Sequence, residues 1–288
     1  MKSSWMLVAA ALFAIMGVLV KTASAYFSSP ELVFYRSIFG LVTIWLGIVW
    51  HKRQWFAPLI TSHAVTHVWR GLAGFIALVL FFYALGRVPL ATAVTLNYTA
   101  PLFLAVLSAV WLHERHGRGL VLAVLMGFVG IVLLLRPQWQ PDTWLPALAG
   151  LVSAVFAAVA YVNIKRLGKL GEPEWRVVFY FTLLCTFGGG IWMLLVGFKR
   201  PELADMPVLI GIGISATLAQ LALTRAYHRG RTLTVGALAY STVVFSALYG
   251  VLLFDEQLPP IAWLGMALIV SAGILAVRMS TPPAADSL

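Results

Sequence analysis

The stretch "TLNYTAP" places Thr95, Asn97, Tyr98 and Thr99 in the middle of a long apolar run, immediately before Pro101. A second polar group lies in "SATLAQLALTRAY", where Gln220 follows Thr217 by three residues and precedes Thr224 by four, so the three share one helical face. A third group is Tyr240, Ser241 and Thr242. Amides, hydroxyls and phenols hold a small ligand by hydrogen bonds and ring contact. In lipid, Asn97 and Gln220 serve equally well as bonds between helices. Phe82 and Tyr83, in "FFYALGR" a turn before Arg87, form either a wall for a ligand or part of an interfacial aromatic belt. Arg36 in "FYRSIFG" is a cation one turn inside an apolar run, where it meets a substrate carboxylate or phosphate or else reaches back to the interface.

Enzyme chemistry finds little in this inventory. His51, His63, His67, His113, His116 and His228 lie in or beside expected loops, and none pairs with another at metal-binding spacing within an apolar run. Cys185 is the single cysteine, which excludes a disulfide framework and a thiolate cluster. No phosphate-binding Gly-rich loop follows a strand, and no nucleophile–base pair is recognisable. We expect no catalytic residue, metal or cofactor. A membrane enzyme acting on lipid-linked substrates would need converging acids or histidines, and Asp255-Glu256 stands without them.

The elements that must position these groups are transmembrane helices. Hydrophobic residues make up 61% of the 288-residue chain and charged residues 10%, whereas soluble domains carry about 25% charged residues. Apolar runs of about 20 residues, the length that crosses a bilayer core of about 30 Å, recur throughout. Ten spans are expected at 4–22, 31–50, 68–86, 89–112, 118–136, 143–164, 174–197, 206–228, 232–254 and 259–278. Pro101 removes the backbone bond to residue 97 and bends the fourth. The net charge of +10 sits between spans rather than along one face, so nucleic acid is not an expected partner; membrane lipid is. The start resembles a signal peptide, with Ala23-Ser24-Ala25 as its cleavage site, but Trp5–Val20 is long for one and has a counterpart later in the chain. The first span is expected to be retained.

That counterpart belongs to a repeat. Lys21 and Lys165 are 144 residues apart, Pro30-Glu31 and Pro173-Glu174 are 143 apart, and Glu114 and Glu256 are 142 apart. Tyr98 aligns with Tyr240. Copies at 1–137 and 142–279, with a short disordered cytoplasmic tail at 280–288, would each hold five spans. An odd number inverts the second copy. With the N-terminus cytoplasmic, 14 of the 20 Lys and Arg residues, Arg70 among them, fall on the cytoplasmic side, so both termini are placed there. Glu114 and Glu256 become equivalent positions, in a basic inner loop and an acidic outer loop, with pairing or capping as their expected role. The expected fold class is thus an all-α membrane protein of ten helices in two inverted five-helix repeats.

This pattern resembles the EamA-type branch of the drug/metabolite transporter superfamily. The resemblance rests on Lys21 closing the first span, Arg36 in the second, Glu114 ending the fourth, and Gly127 with Gly130 in the fifth; Lys165, Glu256 and Gly273 match in the second half. Two positions depart from the pattern: Val178 or Phe179 stands where Arg36 would align, and Phe13-Ala14 replaces a first-span tryptophan and glycine. The resemblance implies alternating access around a central cavity formed by spans three, four, eight and nine. It also implies export of amino acids or related metabolites across a bacterial-type inner membrane. Its alternatives are uptake of a vitamin, a nucleotide-like cofactor or an S-adenosylmethionine-like compound, or export of an opine-type metallophore. Candidate substrate contacts are Tyr83, Asn97, Tyr98, Thr217, Gln220, Tyr240, Ser241 and Arg36; Glu114, Glu256 and Pro101 are structural. The glycine faces "LMGFVG" and "FGGG" permit packing within the chain or in a homodimer.

Overall fold

A computed structural model describes residues 3–52, 59–85, 87, 95–114, 116–135, 144–254 and 259–279. Glu256 and the 280–288 tail lie outside the described residues. Among those described, regular structure is entirely helical: α1 Trp5–Ala23, α2 Ser29–Lys52, α3 Ala64–Leu85, α4 Ala100–Trp111, α5 Arg118–Leu135, α6 Trp144–Lys169, α7 Glu174–Val196, α8 Met206–Arg229, α9 Thr232–Ala239, α10 Ser241–Phe254 and α11 Pro260–Arg278, with a short 3-10 turn at Leu203–Asp205. Among the described residues five stretches are long and apolar enough to cross a membrane: Ala64–Ala84, Trp144–Lys169, Glu174–Val196, Leu203–Arg229 and Thr232–Leu253. Trp5–Val20, Thr95–Trp111, Arg118–Leu134 and Pro260–Ala276 are shorter apolar helices. Large apolar side chains, Leu122, Leu194, Leu195, Leu252 and Leu253 among them, point outward, as a lipid-facing surface requires.

Helix pairing follows a reciprocal scheme. α1 packs on α8 and α3 on α6, while α2 packs on α7, α5 on α11 and α4 on α9. Small residues permit these approaches, because dispersion between closely spaced backbones replaces the hydrophobic effect in lipid. Ala77 of α3 shares a buried cluster with Ala154 and Ala157 of α6 and Ala100 of α4. Ala9 and Ala14 give α1 a buried face of the same kind. The first apolar stretch is therefore a member of the bundle.

Both glycine faces are used inside the chain. A Cβ at Gly130 would meet the Gly265 carbonyl oxygen at 2.8 Å, and one at Gly265 would meet the Gly130 oxygen at 2.6 Å, so α5 and α11 touch backbone to backbone. Gly127 seats the Tyr240 ring, Gly188 receives Phe75, and Gly189 lies against Phe34.

The fourth and ninth of the expected spans are each broken within their apolar run. Leu96 and Asn97 are helical, Tyr98 and Thr99 form a turn, and α4 then starts with Pro101 in its first turn, where a missing N–H leaves nothing unsatisfied. In span nine α9 ends at Ala239 and α10 begins at Ser241, with the Tyr240 N–H donating to the Ala237 carbonyl. The bend expected at residue 97 ahead of Pro101 is thus a break at Tyr98 and Thr99, matched at Tyr240 without a proline.

Two helix starts differ from expectation, with consequences for charge. α3 begins at Ala64 rather than 68, which carries Arg70 almost two turns inside the helix. It is 2% exposed and does not belong with the loop cations. α2 begins at Ser29, so Arg36 lies two turns in and is 4% exposed. His67, expected beside a loop, is 1% exposed within α3.

Candidate functional site

Arg36 and Ser37 of α2 face Thr182 of α7 and Ala216, Thr217 and Gln220 of α8 across a narrow crevice. Gly40, one turn beyond Arg36, lets the Thr217 hydroxyl approach the α2 backbone. Thr182 turns its own hydroxyl onto the Val178 and Phe179 carbonyls. Thr217 and Gln220 come together here, as their spacing predicts, and Arg36 joins them.

Arg70 and Phe181 complete the site, although the sequence-based set omits both. Arg70 Nη2 donates to Gln220 Oε1 at 3.3 Å, joining α3 to α8. Its guanidinium carbon stands 4.0 Å from the Phe181 ring centroid, and that of Arg36 stands 5.8 Å from the same ring. Gly74, one turn past Arg70, leaves the space its guanidinium fills. Nε and Nη1 of Arg36, Nε of Arg70 and Oγ1 of Thr217 are buried without a hydrogen-bond partner. Among the described residues no carboxylate forms an ion pair with either arginine. A ring face offsets part of a cation's charge, but it accepts none of these N–H groups in the plane of the guanidinium.

A second polar cluster lies one turn of α3 away from Arg70. His67 Nε2 approaches Glu172 Oε2 at 3.3 Å, and Arg176 Nη1 reaches the same oxygen at 2.9 Å. The Thr61 hydroxyl donates to the other Glu172 oxygen. The His67 ring lies 4.7 Å from that of Tyr180, whose hydroxyl donates to the Leu59 carbonyl at 2.8 Å. Burial pushes the Glu172 carboxyl up, yet hydrogen bonds from Thr61 and Arg176, the Arg176 charge and the contact with His67 outweigh it and hold the group below its ordinary value. The sequence showed no buried acid; Glu172, in the turn between α6 and α7, is one.

The remaining predicted residues lie elsewhere. Asn97 Nδ2 donates to Ser153 Oγ at 2.8 Å, a bond from span four to α6. The Tyr98 and Tyr240 rings are 6.4 Å apart at the two helix breaks. Tyr240 is fully buried against α5 and α11, and its hydroxyl has no partner; neighbouring Ser241 is half-buried. Tyr83 lies under the Arg87 guanidinium at 4.1 Å at the far end of α3. Phe82 is buried in the core around α2 and α7. Glu114 sits after the left-handed turn at His113 (φ 55°), its N–H donating to the Ser108 carbonyl at 3.2 Å. The Ser108 hydroxyl in turn meets His116 Nε2 at 2.8 Å. Lys165 donates to the Gly230 carbonyl at 2.5 Å.

Apolar helices long enough to cross a membrane meet at a narrow crevice lined by polar side chains, and the EamA-like transporter family model matches residues 2–136 and again residues 144–278. The chain belongs to that family. It is 33% identical to the pseudopaline exporter of Pseudomonas aeruginosa over 92% of each chain. A riboflavin transporter of Vibrio cholerae is 29% identical over 92% of this chain and 89% of its own. A transporter of Helicobacter pylori is 29% identical over 94% of this chain and 93% of its own. A solved crystal structure superposes with a TM-score of 0.83 at 23% identity, covering 98% of this chain and 100% of that one, and has the same fold. The protein is a membrane transporter of small molecules and not an enzyme.

Proposed function

We propose that the chain is a secondary carrier of a bacterial-type inner membrane, exporting amino acids or related small organic metabolites by alternating access. Its units are two inverted five-helix copies, 1–137 and 142–279, forming ten spans with both termini cytoplasmic. The observation that carries this reading is the origin of the crevice walls. Arg36 and Ser37 come from the first family-matched segment, whereas Thr182, Ala216, Thr217 and Gln220 come from the second. A site between copies opens to either side as one copy rocks against the other. The reciprocal helix pairing supports a two-fold relation: the first helix of each copy packs on the third of the other, and the second, fourth and fifth helices pair with their counterparts. The substrate gradient or the proton-motive force supplies the energy, with no cofactor.

Outward movement is favoured by the name of the 33% identical relative, an exporter. The riboflavin transporters favour a second reading, uptake of a vitamin or related cofactor. Purified protein in liposomes preloaded with unlabelled amino acids tests the first: labelled amino acid should accumulate by counterflow. Accumulation of labelled riboflavin, with none of any amino acid, would replace it with the second. Single cysteines at the span ends, labelled from either side of sealed vesicles, test the topology. Residue 114 should react from the cytoplasmic side and residue 256 from the opposite side.

A further inference from the structure

We propose that Arg36 and Arg70 form a paired guanidinium subsite that holds a doubly anionic group of the substrate, two carboxylates or one phosphate monoester. The inference rests on the transport reading for its role but on independent observations for its chemistry. The Arg70 and Arg36 guanidinium carbons stand 4.0 and 5.8 Å from the centroid of one ring, Phe181, which holds the two cations within about 10 Å of each other. Both side chains are more than nine-tenths buried. Three of their N–H-bearing nitrogens, and the Thr217 hydroxyl beside them, make no hydrogen bond.

Like charges brought together away from water repel more strongly than at a surface, and burial strips each of hydration. Helical proteins normally answer such a cation with an acid, as Glu172 answers Arg176 at the other cluster. No ion pair does so for Arg36 or Arg70 among the described residues. Gln220, the side chain that does reach Arg70, is a neutral amide offering one oxygen. The open hydrogen-bonding positions therefore match oxygens of an anion, which guanidinium groups bind through paired N–H donors. A zwitterion with a single carboxylate would neutralise one cation and bring its own ammonium into the site. A dianion neutralises both. Ser37 and Thr217, which line the crevice beside Arg36, supply hydroxyls for the rest of the molecule.

Ligand-induced thermal stabilisation of the purified full-length protein reads binding without requiring transport. Succinate and glycerol 3-phosphate are the two dianionic probes, and alanine and riboflavin are the comparisons. At least one dianion should stabilise the wild type at concentrations about tenfold or more below those needed for alanine. Succinate alone acting identifies carboxylates, and glycerol 3-phosphate alone identifies a phosphate head. Gln220→Glu puts a carboxylate beside Arg70 with almost no change of shape. It should raise the melting temperature of the unliganded protein and weaken the response to the effective dianion by about tenfold or more. Arg36→Gln should weaken that response without raising the melting temperature. Alanine or riboflavin binding as tightly as both dianions, or Gln220→Glu leaving dianion binding unchanged, would overturn the subsite. Dianion binding in a protein that shows no counterflow of any solute would leave the subsite standing and remove the transport reading instead.

Discussion

The contact between α5 and α11 makes a sharp test of the architecture, because replacing Gly265 with alanine should harm a helix that alanine ordinarily helps. On propensity alone the substitution gains up to about 1 kcal/mol in a helix interior. The added Cβ, however, would stand 2.6 Å from the Gly130 oxygen, 2.7 Å from the Leu134 nitrogen and 3.1 Å from the Leu134 Cα. All three atoms are backbone, so no side chain can swing aside. Ordinary contact starts near 3.4 Å, so the axes must part by several tenths of an ångström. A gap of about 0.5–1 Å forfeits about a quarter to a half of each dispersion contact along the seam. Ile131, Leu134, Met266 and Ile269 are the buried residues that would feel it. Overpacking of this kind costs about 1–3 kcal/mol, leaving a net loss of up to about 2 kcal/mol after the full propensity gain. Gly17→Ala is the matched control, since nothing lies within 4 Å of a Cβ there, and it should be neutral or stabilising by up to about 1 kcal/mol. Thermal unfolding in one detergent should rank the proteins Gly17→Ala, wild type, Gly265→Ala. A Gly265→Ala protein melting at or above the wild type would refute the backbone contact.

Asn97→Ala removes the bond to Ser153 and should cost about 0.5–1.5 kcal/mol; a double-mutant cycle with Ser153→Ala should show the two losses to be non-additive. Tyr240→Phe deletes a buried hydroxyl that has no partner, so stability should hold or rise; a fall in counterflow with unchanged melting would give that hydroxyl a role in transport. The Glu172 carboxyl is held below its ordinary value of 4.5, so its stabilisation is complete above that pH and is lost as pH falls through the lower folded value. Melting temperature measured downward from pH 6 should therefore drop more steeply in the wild type than in Glu172→Gln, and equal slopes would remove Glu172 from the acid response.

Class, duplication and the Thr217–Gln220 face were legible in the sequence, because apolar run length and helical spacing are local properties. The helix breaks were half legible. Pro101 announced one of them, while Tyr240 breaks its helix with no residue of special backbone preference. Arg70 was misjudged for a physical reason. The polar start of α3, "AVTHVWR", looks like a helix end reaching for water, but its His67 and Arg70 are buried instead and meet Glu172, Tyr180 and Gln220 from distant parts of the chain. A signal existed in the spacing of His67 and Arg70, which puts both on one face of a helix whose remainder is apolar. Their partners depend on tertiary contacts that no short window contains. The separation of Asn97 from Gln220 is of the same kind: each bonds across helices, but to different neighbours.

Arg36 and Arg70 are made early, whereas Phe181 and Gln220, which cover them, are made late. At a ribosomal pace of about 5–20 residues per second, the nascent first half waits on the order of ten seconds with two cations in the bilayer and nothing from the second half to shield them. Slowing elongation between residues 80 and 210 would lengthen that exposure and make the nascent chain a substrate for membrane proteases.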